Sequence, residues 1–213
     1  MNKNGKTEKQ VKPKAGVFVD ASNTYFSEKR AGWKIDYAKL RVYLSQEFAV
    51  EFMRYYVAVP NKSDKEAYKG KMSYLEKIRD AIEVIEKPLK YIKEKIVIDG
   101  KTISRVIRKG DVDVDITVDV MNNAPDLDVV IILSGDSDYL ALRNDIIGKR
   151  KKILFMAHKR NLSTELTAGK YITFNRLRKF IEFGKKESPA SKGGGTLVPL
   201  LYSNQKKSQA KMV

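Results

Sequence analysis

The chain has 213 residues, of which 42% are hydrophobic, so it can bury the core of one sizeable α/β domain and is short for two. The absence of cysteine excludes disulfides, thiolate metal sites and cysteine nucleophiles, and it suits a reducing compartment. No apolar run approaches the roughly 18 residues that a membrane span needs, and nothing near the amino terminus resembles a signal peptide. We therefore expect a soluble, cytoplasmic protein without a membrane partner.

Along residues 15–183 the hydrophobic periodicity predicts strands that alternate with helices. The predicted strands cover residues 16–20, 50–60, 129–133, 151–157 and 170–174. The predicted helices cover residues 36–47, 64–86, 137–148, 162–168 and 175–183. Two further β-rich runs flank the dipeptide Asp99-Gly100, which is typical of a two-residue hairpin turn. This alternation predicts a three-layer α/β fold, in which a mainly parallel, Rossmann-like central sheet is flanked by helices.

The predicted elements also indicate the roles of some side chains in capping and burial. Asp36 is expected to cap the helix that follows it, and helix 64–86 is expected to bury a stripe that runs as far as Ile82 and Ile85. Tyr55 and Tyr56 are neighbours on a strand, so alternation is expected to divide them between core and surface, although stacking on bases is an alternative.

The formal charge of +16 is distributed unevenly, because residues 1–14 carry +4 and residues 184–213 carry +5, which leaves +7 for residues 15–183. Such a surplus favours polyanions, and nucleic acid is the polyanion expected inside a cell. A solvated surface with basic tails explains the charge equally well. Charge therefore suggests a partner and indicates no chemistry.

The two ends of the chain, residues 1–14 and 184–213, are predicted to be flexible basic tails that flank one domain over residues 15–183. The carboxyl-terminal tail contains a small apolar island, "TLVPLLY". This island is a candidate docking peptide for another protein, although apolar clusters in flexible tails are more often incidental. A second copy of the chain is a further candidate partner.

The segment "RKGDVDVDITVDVMNNA", residues 108–124, fits either a strand or a helix. As a strand it would direct Asp113, Asp115 and Asp119 to one face, where a helix-covered sheet would bury three unpaired charges. A helix that begins near Val112, with Asp111 as its cap, could direct one or two acids to the sheet edge and leave the others in solvent. We predict the helix, in which Asp115 is solvated.

Acidic residues also follow two of the predicted strands directly. Strand 16–20 ends on Asp20, and strand 129–133 leads through a Ser-Gly turn to Asp136 and Asp138. Ligands of open α/β sheets bind outside the carboxyl ends of the strands, so these carboxylates converge if the two strands are neighbours. Clustered carboxylates suit Mg²⁺ or Mn²⁺, although each acid taken alone could simply cap a helix or a turn. Together they predict a metal site.

Three stretches resemble the signature stretches of the NYN domain family, of the LabA-like bacterial type, in the same order: "VFVDASN", "RKGDVDVDITVD" and "LSGDSDYLALRNDIIGKRKKILF". The resemblance covers roughly residues 15–183. It implies a PIN-like fold whose acidic residues bind Mg²⁺ or Mn²⁺ to hydrolyse RNA phosphodiester bonds. The residues that match the family motifs are Asp20, Asn23, Asp113, Asp119, Ser134, Asp136 and Asp138. In "ELTAGKYITF" the chain departs from the family, because Gly169-Lys170 replaces an expected acid.

The resemblance and the acid pattern together predict a metal-dependent ribonuclease. Asp20, Asp119 and Asp136 are predicted to hold one or two divalent ions and to carry catalysis. Asp113 and Asp138 are predicted to be direct or water-mediated ligands. Asn23 and Ser134 would orient phosphate or metal-bound water, and Lys109 either pairs with a phosphate oxygen or is an ordinary solvated lysine.

The single histidine, His158, lies in the basic loop "AHKRN" and is predicted to be a surface or RNA-contacting residue rather than a general acid or base. This loop and the segment "NKSDKEAYKGK" are candidates for tracking the RNA backbone. A non-catalytic RNA-binding or regulatory scaffold that keeps the acidic metal pocket is the alternative function. A phosphatase or nucleotide hydrolase is less well supported, because no P-loop motif is present.

Overall fold

The computed structural model describes residues 11–98 and 101–184. Its strands are β1 Lys14–Asp20, β2 Ala49–Val59, β3 Glu83–Pro88, β4 Lys90–Ile98, β5 Lys101–Lys109, β6 Val129–Leu133, β7 Lys152–Ala157 and β8 Tyr171–Thr173. Its α-helices are α1 Ala21–Ala31, α2 Tyr37–Leu44, α3 Lys65–Ile78, α4 Asp113–Asn123, α5 Leu140–Gly148 and α6 Phe174–Ile181. Short 3₁₀ turns cover Ala124–Asp126, Ser137–Tyr139, Lys159–Asn161 and Glu165–Ala168.

The main sheet has the strand order β3-β2-β1-β6-β7-β8, and all of its neighbouring strands pair in parallel. The chain moves outward from β1 to β2 and β3 on one side, then returns to build β6, β7 and β8 on the other side. The strand order therefore reverses between β1 and β6, which is where ligands of such sheets bind.

Helices cover both faces of this sheet, which confirms the predicted three-layer α/β architecture. Val17 and Val19 of β1 pack into one core with residues of α2, α3 and α6, whereas Phe18 packs into a second core with residues of α4 and α5. Because both faces are covered, the central strands β1 and β6 are almost continuously apolar.

The predicted helix over residues 64–86 is wrong from Arg79 onward. Helix α3 ends at Ile78, and residues 83–88 form the edge strand β3, which pairs with β2 from Arg54–Glu83 to Val59–Pro88. Ile82 and Ile85 also fit helical spacing, so the sequence period alone could not detect the change. Residues 83–88 form a strand because they pair with the edge of β2. Pro88 at the end of β3 is tolerated because β3 is itself an edge strand.

The prediction that Tyr55 and Tyr56 divide between core and surface needs a correction. Both are buried, one in each of the two cores, because helices cover the sheet on both sides. Asp36 caps α2 as predicted, since its carboxylate accepts a hydrogen bond from the backbone N–H of Lys39 at 3.1 Å.

The ambiguous segment 108–124 contains helix α4, as predicted, with Ile116 and Val120 buried against the sheet. The cap differs from the prediction: Val112 occupies the N-cap position and Asp111 precedes it, and no side chain caps this helix. Asp113 is therefore the first helical residue, where a negative charge interacts favourably with the helix dipole.

The hairpin prediction is confirmed for the two strands, because β4 and β5 pair antiparallel from Lys90–Lys109 to Ile98–Lys101. The turn dipeptide Asp99-Gly100 lies outside the described residues, as do residues 1–10 and 185–213 with the candidate docking peptide. Of the helices that the structure describes, none combines the length and the apolar character required to cross a membrane.

A buried carboxyl group in α1 makes the stability of this fold depend on pH. Glu28 is only 7% exposed and accepts a hydrogen bond from the backbone N–H of Ile35 at 2.9 Å. Burial raises its pKa from 4.5 to about 7, while the hydrogen bond from Ile35 and the nearby Lys34 act in the opposite direction. Between these two pH values the folded chain binds more protons than the unfolded chain at this position, so stability falls as pH rises through this interval.

The variant Glu28→Gln keeps an acceptor for Ile35 and loses the charge. We expect it to be more stable than the wild type by about 1–3 kcal/mol at a pH of about 8, and to differ little at a pH of about 5. Urea denaturation at both pH values measures this, with the exposed Glu51→Gln as the control. An unchanged pH dependence in Glu28→Gln would contradict the assignment.

Candidate functional site

Two polar loops meet at the carboxyl ends of β1 and β6. The parallel pairing of these strands sets Val19 opposite Leu133, so Asp20 and Ser134 follow side by side. The hydroxyl of Ser134 donates to Oδ2 of Asp20 at 3.2 Å, and the backbone N–H of Gly135 donates to Oδ1 of Asn23 at 3.1 Å. These bonds join the two loops into one structure.

Asp20 both caps α1 and lies at the centre of this region. Its Oδ1 accepts the backbone N–H of Asn23 at 3.0 Å, and the residue is only 4% exposed. Burial is the main reason that its pKa rises to about 6, and the nearby Asp113 raises it further, whereas the hydrogen bonds from Asn23 and Ser134 lower it. A capping role and a functional role are therefore compatible at this residue.

Asp113 reaches the same region from the first turn of α4. The phenol of Tyr139, a fully buried residue, donates to Oδ1 of Asp113 at 3.0 Å. Burial raises the pKa of Asp113, the bond from Tyr139 lowers it, and the negative charges of Asp136, Asp111 and Asp138 raise it again. The acids are thus close enough to repel one another, which a bound cation would relieve.

A cavity of about 240 Å³ opens between these elements, and the acids on its walls come from three separate segments. Those acids are Asp20 after β1, Asp111 and Asp113 at the start of α4, and Asp136 after β6. Of the predicted site residues, the structure thus brings Asp20, Asn23, Asp113 and Asp136 to one cavity, with Ser134 buried directly behind it.

Asp119 does not line this cavity, which corrects the prediction that it lies beside Asp20 and Asp136. Its carboxylate accepts hydrogen bonds from Arg54 at 2.8 Å, from the hydroxyl of Tyr56, and from Asn123 at 3.0 Å. Asp113 and Asp119 are six residues apart on α4, so their side chains point roughly 120° apart around the helix axis. Asp119 therefore faces strand β2.

Other predicted residues lie at the margin of the site or outside it. Asp138 is exposed and does not line the cavity, although its backbone N–H donates to Oδ1 of Asp136 at 3.1 Å. Lys109 is exposed and pairs with Asp111 at 3.2 Å, so its predicted contact with phosphate stays a prediction. Asp115 is exposed, as expected, but it also forms an ion pair with Lys87.

Several residues of this site were not singled out as cavity residues by the sequence patterns. Arg30 and Asn161 line the cavity, as does Asp111, and Tyr139 supports Asp113. Helical spacing offered a signal for Arg30, which lies seven residues after Asn23 and so on the same side of α1. Asn161 follows β7 closely, at the same edge of the sheet as Asp20.

The donor chemistry of the cavity fits a hard divalent cation such as Mg²⁺ or Mn²⁺, because its acids offer carboxylate oxygens. Within the described residues, however, no three acidic or histidine side chains lie close enough together to form a complete metal site. Mg²⁺ typically keeps several of its waters and takes one or two carboxylates from the protein, so the acids fit a partly hydrated ion.

The parallel sheet, its strand order and the acid-lined cavity at the β1–β6 switch point define the class of protein: it has a PIN-like α/β fold. The model of one family, the NYN domain, matches residues 14–176, which is most of the chain. The chain therefore belongs to the NYN domain family, which includes nucleases.

Two individual proteins are similar to this chain over most of its length. The low amplitude and bright protein LabA of Synechococcus elongatus is 21% identical over 177 residues, which cover 81% of this chain and 90% of LabA. A crystal structure of a protein of unknown function from Vibrio parahaemolyticus matches with a TM-score of 0.58 and 26% identity. This match covers 82% of this chain and 99% of the other.

Gly135 is the point where the acidic loop touches the loop after β7. A Cβ atom at this position would lie 2.0 Å from the backbone oxygen of Asn161, and the backbone N–H of Ser163 donates to the oxygen of Gly135 at 2.9 Å. Backbone atoms lie on both sides of this contact, so no side chain can rotate away to make room.

We expect Gly135→Ala to lower the free energy of unfolding by about 1–3 kcal/mol, because the loop must move to accommodate the new methyl group. Gly70→Ala is the matched control, since a Cβ there has no neighbour within 4 Å, and it should stabilise α3 by about 0.5–1 kcal/mol. Chemical denaturation of the two variants measures both effects, and equal stability in the two would refute the close contact.

Proposed function

We propose that the protein is a metal-dependent ribonuclease that hydrolyses RNA phosphodiester bonds in the cavity at the β1–β6 switch point. One observation carries this proposal: Asp20, Asp113 and Asp136, from three separate segments, line a single cavity in a strongly basic chain. Membership of a family that includes nucleases supports it.

Asp20, Asp113 and Asp136 would hold a partly hydrated Mg²⁺ or Mn²⁺, one or two of them directly and the rest through water, with Asp138 acting through water at the rim. A divalent ion held there would supply positive charge for a phosphate oxygen and would lower the pKa of a water. Asp119 would act as a positioning residue and not as the metal ligand that the sequence predicted. Its bonds to Arg54 and Tyr56 hold α4 against β2, and α4 carries Asp113.

The remaining groups of the cavity have distinct tasks. Ser134 and the backbone N–H of Asn23 hold the carboxylate of Asp20 in one orientation, and Tyr139 does the same for Asp113. Burial raises the pKa of Asp20 to about 6 without a bound cation, and a cation held by this carboxylate would lower the pKa again. The guanidinium of Arg30, on the cavity wall, would contact the phosphate.

A second candidate function is RNA binding without cleavage, in a regulatory or scaffold protein. The observation that favours it is the spacing of the acids, because the described residues contain no complete three-ligand metal site. The two functions differ in whether the wild-type protein turns over RNA.

Cleavage of labelled single-stranded and structured RNA in the presence of Mn²⁺, Mg²⁺ or EDTA separates the two functions. We expect cleavage with either metal, none with EDTA, and a loss of about a hundredfold or more in the Asp20→Asn/Asp136→Asn variant, because two ligands are removed. RNA binding without cleavage by the wild type would favour the scaffold function. Equal cleavage by both proteins would indicate a contaminating nuclease.

The two acids of α4 should respond differently to substitution. We expect Asp113→Asn to reduce cleavage about a hundredfold and to weaken Mn²⁺ binding, because its carboxylate lines the cavity. Asp119→Asn should cost less than about tenfold in cleavage, leave Mn²⁺ affinity unchanged, and lower stability by about 1 kcal/mol as Arg54 loses a charged partner. Titration calorimetry with Mn²⁺ measures the affinities, and weaker Mn²⁺ binding by Asp119→Asn would restore Asp119 as a ligand.

A further inference from the structure

A second cavity, of about 330 Å³, adjoins the acidic one. It lies between α1, the loop after β7 and α6, and Arg30 and Asn161 line both cavities. We call it the basic cavity, because its lining contains four cationic side chains and no aspartate or glutamate among the described residues. The four are Arg30, Lys159, Arg160 and Arg178.

Most of this positive charge is not neutralised within the described part of the chain. Arg178 pairs with Glu182 at 2.8 Å, whereas Arg30, Lys159 and Arg160 have no ion-pair partner among the described residues. Cations that converge on a concave surface without acids create a site for an anion.

His158 lines the basic cavity and has a buried ring without hydrogen bonds. It is only 3% exposed, which corrects the prediction of a surface residue, and neither ring nitrogen has a partner among the described residues. Trp33 and Phe174 hold the ring edgewise, with centroid distances of 4.9 and 5.3 Å. Burial lowers the pKa of His158 to about 4, so the neutral ring keeps one N–H donor.

Buried polar groups in folded proteins nearly always have hydrogen-bond partners, so an orphaned histidine in a cavity indicates a ligand that completes it. The neighbouring cations specify the chemistry of that ligand, since a phosphate group offers both negative charge and several acceptor oxygens. A fully apolar ligand would leave both the cations and the ring nitrogens without partners.

We propose that the basic cavity binds a phosphate group of a nucleic-acid strand, with Arg30, Lys159 and Arg160 on the phosphate oxygens and a ring N–H of His158 as a further donor. That the strand is RNA rests on the proposed function, whereas the phosphate site stands on the cavity alone. Because the two cavities share Arg30 and Asn161, a strand can pass directly from one to the other. The bound phosphate is then either the end of the strand or the link next to the one in the acidic cavity.

The tryptophan fluorescence of the protein reports on this cavity, because Trp33 is the only tryptophan in the chain and lies on the cavity wall. We would titrate the full chain with inorganic phosphate in EDTA at constant ionic strength, and follow tryptophan fluorescence. A saturable change is expected in the wild type, and a weakening of about tenfold or more in Lys159→Gln/Arg160→Gln.

Lys149→Gln/Arg150→Gln is the matched control, because it removes another adjacent Lys-Arg pair. That pair precedes β7, whereas Lys159 and Arg160 follow it, so the control lies at the opposite edge of the sheet. It should bind phosphate as the wild type does, whereas Asp20→Asn/Asp136→Asn, whose acids line the other cavity, should bind phosphate at least as tightly, because two nearby negative charges are removed. No saturable signal, equal weakening by both Lys-Arg variants, or a signal lost with the acids would overturn the proposal.

His158→Phe tests the ring nitrogens separately. The substitution removes two unpaired buried polar atoms from an aromatic environment, so stability should rise while phosphate affinity falls. A purely structural histidine would not give these opposite changes, and unchanged phosphate affinity would remove His158 from the site.

Short RNAs with a 5′-phosphate, a 3′-phosphate or hydroxyls at both ends distinguish the two sources of phosphate, again in EDTA. A preference of about tenfold for one phosphorylated end, lost in Lys159→Gln/Arg160→Gln but kept in the control, identifies an end-binding site. If the three RNAs bind equally well, and Lys159→Gln/Arg160→Gln weakens their binding while the control does not, the site binds an internal phosphate. RNA affinity unaffected by the variant would contradict the nucleic-acid assignment even if cleavage is observed.

Discussion

Strands β1 and β6 pair in parallel from Ala15–Val129 to Val19–Leu133, and this pairing brings the two acidic loops of the chain to one point. Asp20 and Ser134, which are joined by a hydrogen bond, are 114 residues apart in the chain, so no local interaction could bring them together. The strands themselves pair because both are apolar on two faces and must be covered on each side by helices. Burial of the sheet therefore determines where the carboxylates meet.

Placing carboxylates in this position has an electrostatic cost that the surrounding residues only partly offset. Asp20 is buried and its hydrogen bonds lower its pKa, yet burial and the neighbouring Asp113 outweigh them. The hydrogen bond from Tyr139 likewise lowers the pKa of Asp113, but burial and the neighbouring acids raise it by more. Such an arrangement is typical of sites that bind a cation, because structural acids are normally paired with a nearby base, as Asp119 is with Arg54.

The two adjoining cavities have opposite electrostatic character. One has four acids and Arg30 on its walls, and the other has four cations and the orphaned His158. In the proposed ribonuclease, the reacting phosphate of a strand would use a metal held by the acids, and a neighbouring phosphate would use the positive charge of the second cavity directly. The shared wall at Arg30 and Asn161 makes the two cavities parts of one continuous surface.

Individual residues show how far sequence patterns could lead. The helix over the ambiguous segment was predictable, because burying three aspartates on a covered sheet face would be too costly. Which of its acids enters the cavity was not predictable from the motif match, because Asp113 and Asp119 both match and only their angle around α4 separates them. The edge strand β3 was missed because Ile82 and Ile85, three residues apart, satisfy helical spacing, whereas in the folded chain they pack into opposite cores.

The amino-acid sequence by itself determined the α/β class, the apolar strands that end in acids and the helical start of α4, because these depend on local periodicity and charge. The tertiary structure decided which acids share a cavity, that His158 is buried, and that a basic cavity adjoins the acidic one. Those features arise where segments distant in the chain meet, and side-chain direction at such meetings is set by packing rather than by neighbouring residues.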